Sequence, residues 1–207
     1  MESGANRLTK PKKIVLATKN EGKIRELKDA FADLPVELVP LAAFGDLPEA
    51  IEDGTTFAEN ALIKARFYAK ETNCACLADD SGLEVAALNN APGVYSARFA
   101  GGVHADDAAN NAKLLSELTR VGQEESDAAY RCVLAYVDTS GEEILTNGIC
   151  RGKVKKIARG TGGFGYDPYF YVGDKTLAEI SLAEKEKISH RGMALRQMAA
   201  RLKEFLA

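Results

Sequence analysis

Apolar positions along the chain alternate between short continuous runs and stretches at helical spacing. Residues 12–18 form a β-branched apolar run, and after residues 19–23 the apolar side chains Ile24, Leu27, Phe31 and Leu34 recur at helical spacing, so the chain opens strand, loop, helix. Residues 36–40 alternate as a second strand, residues 41–54 read as a loop around Pro48, and Thr56-Phe-Ala-Glu59 has the form of a capping box opening an Ala- and Leu-rich helix through Lys70. Residues 74–88 hold two apolar runs that both read as strands, separated by Ala78-Asp-Asp-Ser-Gly82. Asp and Gly are poor strand formers, so a tight turn at Ser81-Gly82 is expected there, leaving Asp79 and Asp80 at a strand end. Asn89-Asn90 starts a turn, because Asn tolerates positive φ. Residues 105–121 place Leu114, Leu115, Leu118 and Val121 on one side of a helix. After a polar break at residues 122–127, strands at 128–137 and 143–157 flank residues 138–141 as a hairpin. The last segments are a strand at 169–172, a second capping box at Ser181-Leu-Ala-Glu184, and a helix capped by Ser189 with Leu195, Met198, Ala199, Leu202 and Phe205 on its inner face. An antiparallel hairpin beside strand-loop-helix units makes the class α/β with a mixed sheet.

Composition narrows the function classes. A chain of 207 residues with 46% hydrophobic and 28% charged positions matches a soluble globular domain, and no apolar run approaches the roughly 20 residues needed to cross a bilayer. The first residues lack the apolar core of a secretory signal, so residues 1–12 are expected to be a frayed arm and the location cytoplasmic. A net charge of −3 argues against bulk nucleic-acid binding and confines any anionic ligand to a local basic site. The cysteines Cys74, Cys76, Cys132 and Cys150 contain no C-x-x-C pair, which fits buried reduced thiols better than zinc or redox chemistry.

Candidate chemistry sits at several places. Asp79 and Asp80 are the carboxylate pair; on an extended chain at most one of them easily faces a ligand. A solvated turn is the competing reading. Asn20 is a natural helix N-cap, and the free N–H groups behind it, with Lys19 and Lys23, could cradle a phosphate, although a capped turn with solvated lysines has the same look. Residues 159–168 carry glycines at 160, 162, 163 and 165, with Phe164 and Tyr166 offering flat faces for a base. His190 and Arg191 begin the last helix, where cations oppose the helix dipole and an anionic or acceptor-rich ligand would explain them; a packed His and a solvated Arg are the alternative. Glu59 has its capping task, whereas Glu52 lies outside the helix and is free to bind metal.

Together these parts are what a nucleoside triphosphate and Mg²⁺ need. From about Ile14 to the last helix the sequence resembles the inosine/xanthosine triphosphate pyrophosphatase family, on the motifs Ala-Thr-Lys-Asn-Glu-Gly-Lys23, Thr56-Phe-Ala-Glu-Asn-Ala61, Ala78-Asp-Asp-Ser-Gly-Leu83, Gly93-Val-Tyr-Ser-Ala-Arg98, Gly160-Thr-Gly-Gly-Phe-Gly-Tyr-Asp-Pro168 and Ile188-Ser-His-Arg191. The resemblance implies hydrolysis of non-standard purine nucleoside triphosphates to monophosphate and pyrophosphate. It also implies an elongated mixed sheet with flanking helices, one domain over residues 13–207 with two lobes around a central nucleotide cleft, and a homodimer. It assigns Asp80, with Asp79 beside it, to catalysis and Asp80 to Mg²⁺, for which Glu52 is the expected second ligand by its position outside the helix; and Thr18, Lys19, Asn20, Glu21, Gly22 and Lys23 to the triphosphate. Ser81, Phe164, Gly165, Tyr166, Asp167, Lys185, His190 and Arg191 fall on its remaining substrate contacts. The chain departs from the family pattern at Asn89-Asn90, where Gly-Gly is common, and at Ile51-Glu52-Asp53, where many members have Glu-Glu. Two rival readings keep the same loops: a Maf-like pyrophosphatase for other modified nucleotides, and a nucleotide-binding module without turnover.

Overall fold

The computed structural model of the chain describes residues 11–102 and 106–206, so the expected arm lies almost wholly outside the described residues. Strands β1 (Lys12–Leu16), β2 (Val36–Pro40), β3 (Ala75–Val85), β4 (Glu125–Val137), β5 (Glu143–Lys155), β6 (Phe170–Val172) and β7 (Lys175–Thr176) form one sheet in the order β2-β1-β3-β4-β5-β6-β7. β1 is parallel to β2 and β3, and every pairing from β3 to β7 is antiparallel, so the sheet is mixed. The helices are α1 (Glu21–Ala30), α2 (Phe57–Thr72), α3 (Asp107–Arg120), α4 (Leu182–Ile188) and α5 (His190–Phe205).

Strand alternation sorts the core. Ile14, Leu16, Leu77, Leu134 and Tyr136 meet α1 and α5 through Leu27, Phe31, Leu195, Met198 and Leu202. Their neighbours Val15, Cys76, Ala78, Ala135 and Val137 face the other way, onto Ala61, Ala65 and Tyr68 of α2. Toward the other end of the long strands, Leu83, Val85, Tyr130, Cys150 and Val154 pack with Leu114 and Leu118 of α3 and with Phe170. The helix starts follow local chemistry: Asn20, Thr56, Ser181 and Ser189 each accept from a backbone N–H of the first turn, and Thr56–Glu59 and Ser181–Glu184 are complete capping boxes. Asn89 and Asn90 both take positive φ. All four cysteines are free; Cys76, Cys132 and Cys150 are buried, and burial pushes the Cys76 and Cys132 thiols up to about 12.

The central stretch departs from expectation. No turn breaks it: β3 runs unbroken through Asp79-Asp80-Ser81-Gly82, each paired with β4 from Leu134 to Arg131. Long-range pairing with β4 overrides the weak strand propensity of these residues. Gly82 serves close approach rather than a turn, since a Cβ there would run into Gly93 O and Ser96 Oγ of a 3-10 segment, Gly93–Arg98, laid against the strand. Smaller differences are that β1 stops at Leu16, that β4 already begins at Glu125 inside the polar break, and that residues 41–44 form a 3-10 turn within the expected loop.

Candidate active site

The carboxylates stand at the end of the neighbouring strand rather than of their own. β1 pairs with β3 only through Leu16↔Leu77, and the last backbone bond is Ala17 N–H to Leu77 O. Further along, the Leu83 N–H is taken by Ser96 Oγ (2.8 Å) and the Val85 N–H by Ala91 O (3.2 Å). Between these points β3 has no strand neighbour on its β1 side among the described residues, so a ligand lying along that edge can reach side chains from both faces of the sheet. That resolves the alternation problem: Asp79 and Ser81 point toward α1 and α5, Asp80 toward α2, and both meet at one gap.

Asp79 is buried and densely paired. Its Oδ2 lies 2.8 Å from Lys23 Nζ and 3.5 Å from Arg191 Nη2. Burial alone would raise its pKa, but Lys23, Arg191 and Lys64 outweigh it and hold the carboxyl well below the usual range. Asp80 has the opposite environment. Its Oδ1 accepts from the Ser81 N–H (3.0 Å), while Oδ2 is buried without a hydrogen-bond partner among the described residues. Burial raises its pKa to about 6; Glu52 and Asp79 add to the rise, and Lys64 and the nearby Asn60 amide oppose it without giving Oδ2 a well-formed bond.

Lys64 was not singled out in the sequence. Placed by α2, its Nζ lies 2.8 Å from Glu52 and donates to Asp79 O (3.0 Å), which ties the Glu52 loop to β3. Glu59 is occupied in capping, accepting from the Thr55 and Thr56 N–H groups. Asp80 and Glu52 are therefore the two carboxylates on the α2 side of the gap, with the cation-paired Asp79 on the other. An orphaned Oδ2 beside a second carboxylate fits a hard divalent cation, and Mg²⁺ in particular is bound by one or two carboxylates with water and substrate phosphates completing the shell. Among the described residues no cluster of three or more His, Cys, Asp or Glu side chains forms a closed metal cage.

On the α1 and α5 side lies a cleft of about 490 Å³ bordered by Asn20, Lys23, Ser81, Phe164, Gly165, Tyr166, Asp167, Lys185, His190 and Arg191. Arg191 is buried rather than solvated, reaching Ser81 Oγ at 3.1 Å and Glu26 at 3.3 Å. His190 stacks on Tyr130 (4.8 Å, 8°), and burial, with Arg191 and Lys185 nearby, lowers its pKa well below the ordinary value. His190 Nδ1 and Arg191 Nε are buried with no partner among the described residues, which leaves polar atoms at this wall for a ligand. Phe164 is 53% exposed at the cleft, with Lys185 Nζ 4.6 Å from its ring centre. Asp167 accepts from Phe164 N–H (2.9 Å) and pairs with Lys185.

Other expected residues sit differently. Tyr166 offers no free face: it is buried and its hydroxyl donates to Ser96 O (2.7 Å). Lys19 is exposed, does not border the cleft, and pairs with Glu49 (2.8 Å). Glu21 is exposed in the first turn of α1, beside Gly22, and Thr18 Oγ1 accepts from Asn20 N–H (3.2 Å). Gly148 of β5 is a further residue not singled out: a Cβ there would collide with His190 O, so the glycine lets the start of α5 sit directly on the strand.

Comparison with known proteins bears on the fold and the family. The model of the Ham1 family matches residues 14–201. A dITP/XTP pyrophosphatase of Geobacter sulfurreducens is 51% identical over 185 residues, covering 88% of this chain and 92% of the relative; one of Bacillus anthracis is 46% identical over 198 residues, covering 94% and 98%. Among solved structures, a HAM1 protein from Coxiella burnetii superposes with a TM-score of 0.87 at 42% identity, covering 93% of this chain and 99% of that one. The mixed seven-stranded sheet with its flanking helices is thus the architecture of these proteins, and the chain belongs to the Ham1 family.

Proposed function

We propose that the protein hydrolyses inosine- and xanthosine-type nucleoside triphosphates to the monophosphate and pyrophosphate, removing non-standard purines from the nucleotide pool. The observation that carries this reading is that Lys23 and Arg191, which border the cleft together with Phe164, also pair with Asp79, next to Asp80 on the open edge of β3. The names and coverage of the relatives support the same substrate class.

In this reading Lys23 and the free N–H groups behind Asn20 hold the phosphates. Asp80 and Glu52 would hold Mg²⁺, which when bound supplies charge neutralisation at the phosphate oxygens and an acidified water. Asp79, with its charge locked by Lys23 and Arg191, keeps those two cations in place and is a poor proton acceptor. Asp80, whose carboxylate is not ion-paired as that of Asp79 is, takes the proton from the water that attacks the α-phosphorus, and pyrophosphate leaves against the lysines. Phe164 stacks the purine, and donors at the start of α5 meet its 6-oxo group. ATP presents an amino donor there, and a site built around one hydrogen-bonding group rejects an analogue lacking it by up to about 10⁴-fold.

The two lobes of this reading correspond to the packing around α1, α2 and α5 at one end of the long strands and around α3 at the other. A homodimer in the cytoplasm completes it; among the described residues no helix is long and apolar enough to cross a membrane. The test is a panel of standard and deaminated nucleoside triphosphates, with and without Mg²⁺, scored for pyrophosphate against orthophosphate. Inosine and xanthosine triphosphates should give pyrophosphate only with Mg²⁺. Release of orthophosphate, or equal turnover of ATP, would overturn the reading.

A further inference from the structure

The aromatic face at the cleft is carried by a segment that should not hold its shape unaided. Phe164 stands between Gly163 and Gly165, both at positive φ, with Gly160 and Gly162 just before them. Each residue fixed in one backbone well costs roughly 1–2 kcal/mol, and glycine most of all. A platform on such a loop improves binding only if something orders it before the base arrives.

Two side chains of α3 supply that order. Gly165 N–H donates to Asp107 Oδ2 (2.6 Å), and Gly165 C=O accepts from Asn111 Nδ2 (2.9 Å). Asp107 and Asn111 are four residues apart, so they project from one side of α3 and take both polar groups of one peptide residue. On the other flank, the Phe164 N–H is held by Asp167. The ring therefore sits between two fixed points, one on the loop itself and one on a helix anchored through Leu114 and Leu118 in the core that also takes in Tyr166 of the loop. Asp107 is not needed to start the helix, because Asp106 is the N-cap and accepts from Ala109 N–H (2.6 Å).

We infer that Asp107 and Asn111 are positioning residues that clamp Gly165 and thereby pre-order Phe164 as the base platform, so that α3 sets affinity for the base without touching the phosphates. This rests on the proposed reading that Phe164 stacks a purine, but the clamp itself can be measured without turnover. The sequence contains no Trp, so Phe164→Trp makes the introduced indole the sole emitter of its kind. In that background Asn111→Ala and Asp107→Ala should each lower the steady-state fluorescence anisotropy of the ligand-free protein.

With Phe164 restored, both substitutions should raise KM for inosine triphosphate about tenfold while kcat stays within about twofold, and should leave competitive inhibition by inorganic triphosphate unchanged. Asn111→Asp keeps the shape but removes the donor, so it should match Asn111→Ala; Asp107→Asn keeps an acceptor oxygen and should restore most of the affinity. Thermal unfolding of each variant confirms that it is folded, and the isosteric pair remains informative if an alanine variant is not.

Unchanged anisotropy in folded variants overturns the clamp, as does a parallel loss of triphosphate inhibition, which would mean that α3 supports the whole site. If the parent hydrolyses no purine triphosphate while the anisotropy falls as expected, the clamp stands and the substrate assignment is what fails.

Discussion

Asp79 and Asp80 are chemically identical neighbours with opposite fates, and the difference lies in which face of β3 each occupies. Asp79 meets Lys23 and Arg191 and is locked as a carboxylate; Asp80 meets Glu52, Lys64 and an empty coordination direction at Oδ2. A carboxyl raised from 3.8 to about 6 by burial corresponds to a penalty of up to about 3 kcal/mol for the metal-free native state at neutral pH. Asp80→Asn should therefore do two things at once: lower kcat by at least about 10²-fold and raise the melting temperature of the metal-free protein. A folded Asp80→Asn protein with near-normal turnover would remove Asp80 from the mechanism. Glu52→Gln should raise the Mg²⁺ concentration needed for half-maximal rate, whereas Glu59→Gln, which disturbs only the α2 capping box, should lower the melting temperature and leave the metal requirement alone. The reverse pattern would identify Glu59 as the ligand. Of these residues the aspartates are legible in sequence because two adjacent carboxylates among apolar runs are rare. Lys64 is not, because a lysine on a helix looks solvated until the sheet edge it reaches is known.

At the scale of elements, the cleft depends on where α5 begins. Ser189 caps the helix and the next two residues, His190 and Arg191, enter the site, so a shift of the first turn would move both side chains together. Gly148 sets that position from β5, since His190 O lies where its Cβ would be and Ala194 N is 2.9 Å away. Thr146 on the same strand donates to Ala194 O (3.0 Å) and fixes the next turn. Gly148→Ala should consequently cost about 1–3 kcal/mol in stability by overpacking and should lower kcat/KM by more than a neutral surface change of equal size. Urea denaturation and steady-state kinetics on the same preparation check it; a variant with parent stability and rate would show that the contact relaxes freely. Helix starts such as Asn20, Thr56, Ser181 and Ser189 are legible in the sequence because a cap is decided within four residues. The continuity of β3 is not, because it is decided by β4, about fifty residues further along, and a glycine that reads as a turn is in fact a place where another segment presses on a strand.

For the whole molecule, the decisive mismatch is of length: β1 has 5 residues and β3 has 11, so the sheet carries an unpaired edge in its middle, between the packing around α1, α2 and α5 and the packing around α3. Charge is concentrated at that edge, and the start of α5 is kept uncharged at His190 while Arg191 beside it is charged. This makes stability depend on pH in a way that can be assigned. His190 is held neutral in the folded protein, its pKa lowered by burial, Arg191 and Lys185, so below the ordinary value of 6.5 the unfolded chain binds a proton that the native state does not. Stability contributed by this site is present above pH 6.5 and is lost as pH falls, by about 1 kcal/mol between pH 6.5 and 5.5. Asp80 works in the opposite sense, since its raised pKa makes the metal-free native state lose stability as pH rises from about 4 to about 6. Because Asp80 is common to both proteins, comparing the parent with His190→Gln cancels its share to first order. Urea unfolding in the presence of a chelator at pH 5.5 and 7.5 should show the parent losing more stability on acidification than His190→Gln, with the gap narrowing by about 1 kcal/mol. Parallel losses in the two proteins would mean that the imidazole takes up its proton in the native state as readily as in the unfolded chain, and then burial does not hold His190 neutral below pH 6.5.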